Sequence, residues 1–146
     1  MLNRSEVERR IGSTNSAGLI AILYEALIDN FNDSIKAIED NDRETLNFIN
    51  NNSRDILAEL ISALKGDSEI ARNLREIYIY LNKLITKAEN FRNPDLYESA
   101  AKIVKPLYDG FIQLEESEDP KVVAGLTYGK NFVSEYNYKE GKTFKG

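Results

Sequence analysis

The side chains of this sequence with the most obvious chemistry are closely spaced carboxylates. Pairs of carboxylates can bind Mg²⁺, or act as general acid and general base in hydrolysis. Three groups occur: Asp29 with Asp33; Asp40 with Asp42; and Glu115, Glu116, Glu118 and Asp119. The first pair lies on the polar face of a predicted helix, the second flanks a turn, and the third group ends a helix. Charged residues at such positions usually cap helices or face solvent, so the sequence favours a structural role over a carboxylate-metal hydrolase.

The sequence contains no histidine, no cysteine and no tryptophan. Without histidine, neither a Ser-His-Asp triad nor the Glu-x-x-His pairs of di-iron bundles can form. Without cysteine, thiol nucleophiles and thiolate metal sites are excluded. No glycine-rich nucleotide-binding pattern is present either. We therefore expect no catalytic residues, no metal and no cofactor.

Length and charge narrow the class further. The 146 residues, 42% of them hydrophobic, are enough for one domain with its own core. A net charge of −5 argues against a nucleic-acid partner. No window approaches the roughly 18 apolar residues of a membrane span, and the first ten residues carry five charges, unlike a signal peptide. We expect a cytoplasmic protein without membrane insertion.

Apolar periodicity predicts four long helices, over residues 17–39, 43–65, 68–91 and 94–116. The third is the most regular, because its apolar residues recur every three or four positions, as in the seam of a helical bundle. This predicted stripe comprises Ile70, Leu74, Ile77, Leu81, Leu84, Ala88 and Phe91. Asp42 and Asp67 are predicted N-caps, Gly66 a left-handed C-terminal residue, and Asn93-Pro94 the start of the last helix.

Turns of two to four residues force successive helices to run antiparallel. The sequence therefore predicts an all-α, up-down-up-down four-helix bundle over residues 1–119. A short N-terminal segment precedes it, with at most a turn or two of helix through Arg10 and a loop from Gly12. Residues 50–53 have low helix propensity, so we expect tertiary contacts to hold them helical. Pro106 predicts a kink in the fourth helix.

Residues 120–146 form a segment of different composition, called here the tail. It holds five aromatic residues and four of the eight glycines, and its five lysines and two glutamates give a net charge of +3. Disordered tails are usually poor in aromatic residues. Three arrangements are open: the tail packs on the bundle, packs on a second copy, or orders only on a partner.

Several apolar or amphipathic residues do not fit the predicted core stripes. A single exposed hydrophobic residue carries little information, but a contiguous set across neighbouring helices would form a groove for an amphipathic helix. Tyrosine commonly stands where burial is partial, so Tyr78 and Tyr80 fit either the rim of the core or the wall of a groove. The predicted partner-binding residues are Ile20, Tyr24, Phe48, Ile61, Tyr78, Ile79 and Tyr80.

Several motifs in register resemble one known family. Residues Leu19–Leu27 (LIAILYEAL) are similar to a first-helix signature, Leu-Ile-x-x-Leu-Tyr-Asp-Gly-Ala. Residues Glu59–Leu64 (ELISAL) and Glu69–Leu74 (EIARNL) resemble the run from the second helix into the third, and Tyr78–Lys83 (YIYLNK) resembles Tyr-x-Tyr-Met-Asn-Arg. The pattern is that of the flagellin-specific export chaperone family, FliS, and it covers about residues 13–117.

The resemblance implies a chaperone that binds the C-terminal segment of flagellin, prevents premature polymerisation and helps deliver subunits to the flagellar export gate. In the family, an N-terminal segment that often carries tyrosine can cover the flagellin site when it is empty. Residues 1–16 contain no aromatic residue, so we expect the tail to do this here. The alternative function is a non-catalytic scaffold or adaptor that oligomerises through the same apolar surface. Monomer and homodimer both remain open.

Overall fold

The computed structural model of the protein describes residues 4–117, which form five α-helices and no β-strand. The all-α class predicted from the sequence is confirmed. The predicted tail, residues 120–146, lies outside the described residues. The helices are α1 (Arg4–Ser13), α2 (Ser16–Glu39), α3 (Arg43–Ala63), α4 (Glu69–Phe91) and α5 (Pro94–Ser117).

Short polar side chains fix where three of the helices begin. Asn15, Asp42 and Ser68 each accept a hydrogen bond from the backbone N–H three residues further on. Each bond satisfies one of the four N–H groups that the first turn of a helix leaves without a partner. The prediction of Asp42 as an N-cap is confirmed, but that of Asp67 is wrong. The cap is Ser68, whose extended backbone precedes the first helical residue, Glu69.

The connections between helices are short and sharply turned. Gly66 has the predicted positive φ, at 78°, while α3 ends at Ala63, two residues before the predicted boundary. Arg92 is also left-handed, with φ at 48°, and α5 starts at Pro94. Only two residues therefore join α4 to α5, so the two helices must turn back on each other. The helix α5 continues through Pro106 to Ser117.

A buried polar layer joins α2 to α3 and α5. The side-chain amide of Asn30 donates to Asn52 at 2.9 Å, and the hydroxyls of Ser34 and Tyr97 donate to Asn50 at 3.4 and 3.0 Å. As the residue number rises along α2, the partner's number falls along α3, so these helices run antiparallel. The bonds also confirm that tertiary contacts hold the stretch of low helix propensity in α3.

Aromatic pairs align α2 with α5, its most extensive neighbour. The rings of Phe31 and Tyr97 lie 6.3 Å apart, and those of Tyr24 and Phe111 lie 5.5 Å apart. The order of these pairs shows that α2 and α5 are also antiparallel. The helix α2 packs on α3 as well, and α4 packs on both α3 and α5. The core lies between these four helices.

The buried face of α4 differs from the predicted stripe. Ile70 and Phe91 are each 72% exposed, whereas Tyr78 and Ile85 are buried. Ile70 lies in the first turn and Phe91 is the last residue of α4, so both extend beyond the cover of the neighbouring helices. Tyr78 and Ile85 share a helix face with Leu81, at spacings of three and four residues, and this face points into the core.

The N-terminal segment forms a longer helix than the sequence predicts. The helix α1 runs to Ser13, so the predicted loop from Gly12 is wrong at its first two residues. Val7 and Ile11, one turn apart, are buried, and Arg10 forms an ion pair at 2.7 Å with Glu25 of α2. The two apolar contacts and the ion pair together attach α1 to α2.

Candidate functional site

The candidate site is the surface where the first half of α4 meets the last half of α5. Leu74 and Ile77 of α4 and Leu107 and Phe111 of α5 pack on the core, yet each remains partly accessible to solvent. We call these four residues the α4–α5 surface. Among the described residues, α5 has no fully buried side chain after Val104. Apolar side chains left partly exposed on neighbouring helices are typical of a helix-binding site.

Two buried tyrosines support this surface from the core side. The hydroxyl groups of Tyr24 and Tyr78 are hydrogen-bonded at 2.5 Å, and the ring of Phe111 meets that of Tyr24 edge-on. Burial raises the pKa of Tyr78, although its hydrogen bond to Tyr24 partly opposes the rise. Sequence reasoning assigned both tyrosines to the partner-binding set. The structure buries both, with Tyr24 in contact with Phe111, so they support the surface without lining it.

The apolar surface continues to the end of the bundle. Ile70, in the first turn of α4, and Leu114, in the last turns of α5, are exposed. Because α4 and α5 are joined by a two-residue turn, their far termini lie at the same end. Two residues of the predicted partner-binding set, Ile20 of α2 and Ile61 of α3, are half-buried near this end.

The remaining predicted residues do not gather at one place. Tyr80 is exposed and lies three residues after Ile77, so it borders the α4–α5 surface. Ile79 is 45% exposed, but it points outward from the bundle on the far side of α4. Phe48 is exposed near the start of α3, at the opposite end of the bundle from Ile61. The predicted residues therefore fall into three groups. Tyr24 and Tyr78 are buried below the α4–α5 surface, and Tyr80, Ile20 and Ile61 lie beside it or near its end. Ile79 and Phe48 lie away from it.

Sequence reasoning placed Leu74 and Ile77 in the core stripe of α4 and did not single out Leu107 and Phe111 of α5, so all four were missed as surface residues. Their heptad-like spacing with buried neighbours is that of any bundle core. The signal that could have found them is their position. They lie in the half of each helix that ends at the same end of the bundle, where fewer neighbours cover an apolar stripe.

Polar contacts hold the helix termini beside this surface. The hydroxyl of Thr14 donates to the carboxylate of Glu115, and the side-chain amide of Asn15 donates to the backbone carbonyl of Glu115 at 2.9 Å. Together they tie the last turns of α5 to the start of α2. Nearby, burial opposes the charge of Arg10, but its hydrogen bond to Glu25 raises the pKa of the guanidinium above its ordinary value.

The carboxylates have structural surroundings. Asp42 caps α3, and its hydrogen bonds to the hydroxyl and backbone of Thr45 lower its pKa. Partial burial is the main cause that raises the pKa of Asp29, and the neighbouring carboxylates of Asp33 and Glu25 add to it. Within residues 4–117, no three acidic side chains come close enough to hold a metal ion. Nor is any helix in that range long and apolar enough to cross a membrane.

An all-helical fold that exposes an apolar surface between two helices is typical of helical binding proteins. The model of the family described as flagellar protein FliS matches residues 2–118, and the chain belongs to this family. Membership implies a role as a flagellar export chaperone, in a family that is generally non-catalytic and has flagellin as its partner. A comparison with curated proteins finds no match to this chain.

Proposed function

We propose that this protein is a cytoplasmic export chaperone that binds the C-terminal segment of flagellin on the α4–α5 surface. In this proposal, α2 to α5 form the up-down-up-down bundle predicted from the sequence, with one domain ending near residue 119. Binding prevents premature polymerisation of flagellin, and the complex is delivered to the flagellar export gate as a second partner.

The observation that carries the proposal is the row of partly exposed apolar side chains on α4 and α5. Moving the remaining exposed area of such a side chain out of water contributes on the order of 1 kcal/mol. Leu74, Ile77, Leu107 and Phe111 could together anchor one face of an amphipathic helix. Exposed Ile70 and Leu114 would extend the contact by another turn.

The free energy of binding expected for such a segment is compatible with reversible binding of flagellin. The terminal segment of flagellin is an amphipathic polymerisation sequence that is disordered before assembly. Covering its apolar face hides the surface that would aggregate, while ordering the segment costs part of the binding energy. The complex can therefore be specific without being too stable to release its client at the export gate.

A segment of the chain itself could cover the surface when flagellin is absent. The sequence-based hypothesis assigns this role to the tail, residues 120–146. The helix α1 does not cover it in this structure, because α1 packs on α2 and leaves the four residues of the α4–α5 surface partly accessible. Removing a cover raises the population of the binding-competent state, and so tightens apparent affinity.

Calorimetric titration of the full chain with a flagellin C-terminal peptide tests the proposal. Ile70→Asp and Leu114→Asp should each weaken binding about tenfold, because they place a charge in the contact. Phe48→Asp is the matched control, since Phe48 is also apolar and exposed, but lies at the opposite end of the bundle. Unchanged affinity in the first two variants, or equal loss in all three, would exclude the α4–α5 surface.

Two further measurements decide between the remaining alternatives. Deleting residues 120–146 should tighten peptide binding if the tail covers the site. Light scattering with and without the peptide separates a chaperone from a scaffold. A 1:1 complex supports the chaperone, and a stable homo-oligomer indifferent to the peptide supports the scaffold.

A further inference from the structure

The outer face of α4 carries a second apolar feature, away from the α4–α5 surface. Its last four turns line a shallow groove of about 440 Å³. Ile79 stands at one end of the groove, and Phe91, 72% exposed, stands at the other. Twelve residues of helix separate them, a distance of about 18 Å at 1.5 Å per residue. Two exposed apolar side chains at this separation match the span of a partner helix of three to four turns.

The groove between these apolar ends is cationic. Lys83 and Lys87, one turn apart, line it, and among the described residues neither has a carboxylate partner. Asn82 and Asn90, which also line it, add amide groups that can donate or accept hydrogen bonds. A row of unpaired lysines flanked by apolar residues favours a ligand that is acidic and amphipathic.

A second groove, which is also lined by basic side chains, lies between the end of α4 and the start of α3. It has a similar volume, about 440 Å³, shares Asn90 with the first, and is lined by Arg43 and Arg92. Glu89 is the one carboxylate lining either groove within the described residues, and Arg54 already binds it at 2.8 Å. Four basic side chains thus line the two grooves, in a chain whose net charge is −5. These grooves are therefore positively charged, although the protein as a whole is negatively charged.

We infer that the outer face of α4 is a docking site for an acidic amphipathic helix of another protein. The apolar side chains of that helix contact Ile79 and Phe91, and its carboxylates face Lys83 and Lys87. This docking site is separate from the α4–α5 surface, because Ile79 points away from that surface. The site therefore allows the protein to hold two helical ligands at once.

Charge argues against three other ligands for this face: a second copy of the chain, the chain's own tail and nucleic acid. A second copy bound through the same face by a two-fold axis would place Lys83 and Lys87 near the same lysines of its partner. Like charges opposed in this way are destabilising. The chain's own tail, with its net charge of +3, would meet the same repulsion. Nucleic acid is disfavoured by the net charge of the whole chain.

Two designed helical peptides test the inference on the full chain. Both carry leucine at positions that match Ile79 and Phe91; one has glutamate between them and the other has lysine. Fluorescence anisotropy should show that the glutamate peptide binds at least about tenfold more tightly than the lysine peptide. Added salt should reduce this difference in affinity, because it screens the charges. Equal binding of the two peptides would overturn the inference.

Charge reversal locates the site. The double variant Lys83→Glu and Lys87→Glu should lose the preference for the glutamate peptide, yet bind the flagellin peptide as the unmodified chain does. The matched control reverses two exposed lysines elsewhere, Lys36 and Lys102, and should retain the preference. If the control loses the preference as much as the test variant does, net charge and not this face decides binding. A dimer of the unmodified chain that Phe91→Asp dissociates would instead assign the face to a second copy.

Discussion

The hydrogen bond between Tyr24 and Tyr78 allows a direct test of how the core supports the α4–α5 surface. Both hydroxyl groups are buried, and they lie 2.5 Å apart. Replacing either tyrosine with phenylalanine removes one hydroxyl and hardly changes the shape of the side chain. Replacing both removes the pair. The two single variants and the double variant form a complete double-mutant cycle.

The expected magnitudes follow from burial. A buried polar group that loses its partner costs about 1–3 kcal/mol, whereas replacing both partners with apolar groups can be nearly neutral. We therefore expect Tyr24→Phe and Tyr78→Phe each to lower the free energy of unfolding by about 1–2 kcal/mol. The double variant should be more stable than the sum of the two losses predicts, by about 1 kcal/mol.

Urea denaturation followed by far-ultraviolet circular dichroism measures the cycle. Strictly additive losses would contradict the hydrogen bond between the two hydroxyls. Titration of the same variants with the flagellin peptide adds a second readout. If the tyrosines support the surface from within, affinity should change far less than stability. A large loss of affinity in a variant of normal stability would instead restore Tyr24 and Tyr78 to the binding set, as the sequence suggested.

Three further predictions follow from other contacts. Because burial raises the pKa of Tyr78, the unfolded chain loses that proton first. The contribution of Tyr78 to the free energy of unfolding should therefore be constant below about pH 10 and fall as the pH rises beyond it, as urea midpoints would show. Gly110→Ala meets no neighbour within 4 Å and should stabilise the protein by about 0.5–1 kcal/mol, whereas a Cβ at Gly18 would displace hydrogen-bonded side chains and should give no such gain in thermal melts. Arg54→Ala breaks a half-buried ion pair between α3 and α4 and should lower the free energy of unfolding by about 1 kcal/mol. Lys105→Ala breaks an exposed pair within one helix and should cost less, because solvent screens that pair; equal losses would contradict this prediction.

The helices themselves could be predicted from the sequence, because their signals are local. Asp42, Gly66 and Asn93-Pro94 mark helix termini through their own backbone and side-chain chemistry, and the structure places the termini within two residues of the predictions. The error at Asp67 is equally local. Two adjacent residues can both cap a helix, and the choice of Ser68 depends on the geometry of the preceding turn.

The candidate site was harder to predict, because exposure depends on neighbours. Spacing alone gave Ile70 and Leu81 the same role in α4, yet one is mostly exposed and the other is fully buried. Tyr78 looked like a rim residue, because tyrosine usually keeps its hydroxyl near water. Its hydroxyl instead bonds to Tyr24, which lies 54 residues earlier in the chain. No local pattern reveals a partner at that distance.

The two ends of the bundle are packed to different degrees, and this has a consequence for how the protein responds to thermal motion. Around Phe31 and Tyr97, aromatic rings and buried amides fill the interior. Around Leu74 and Leu107, side chains have neighbours on one side and solvent on the other. Amide hydrogens should accordingly exchange slowly in the first region and sooner in the second. The bundle can then open locally at the proposed binding surface while the rest of the fold stays intact.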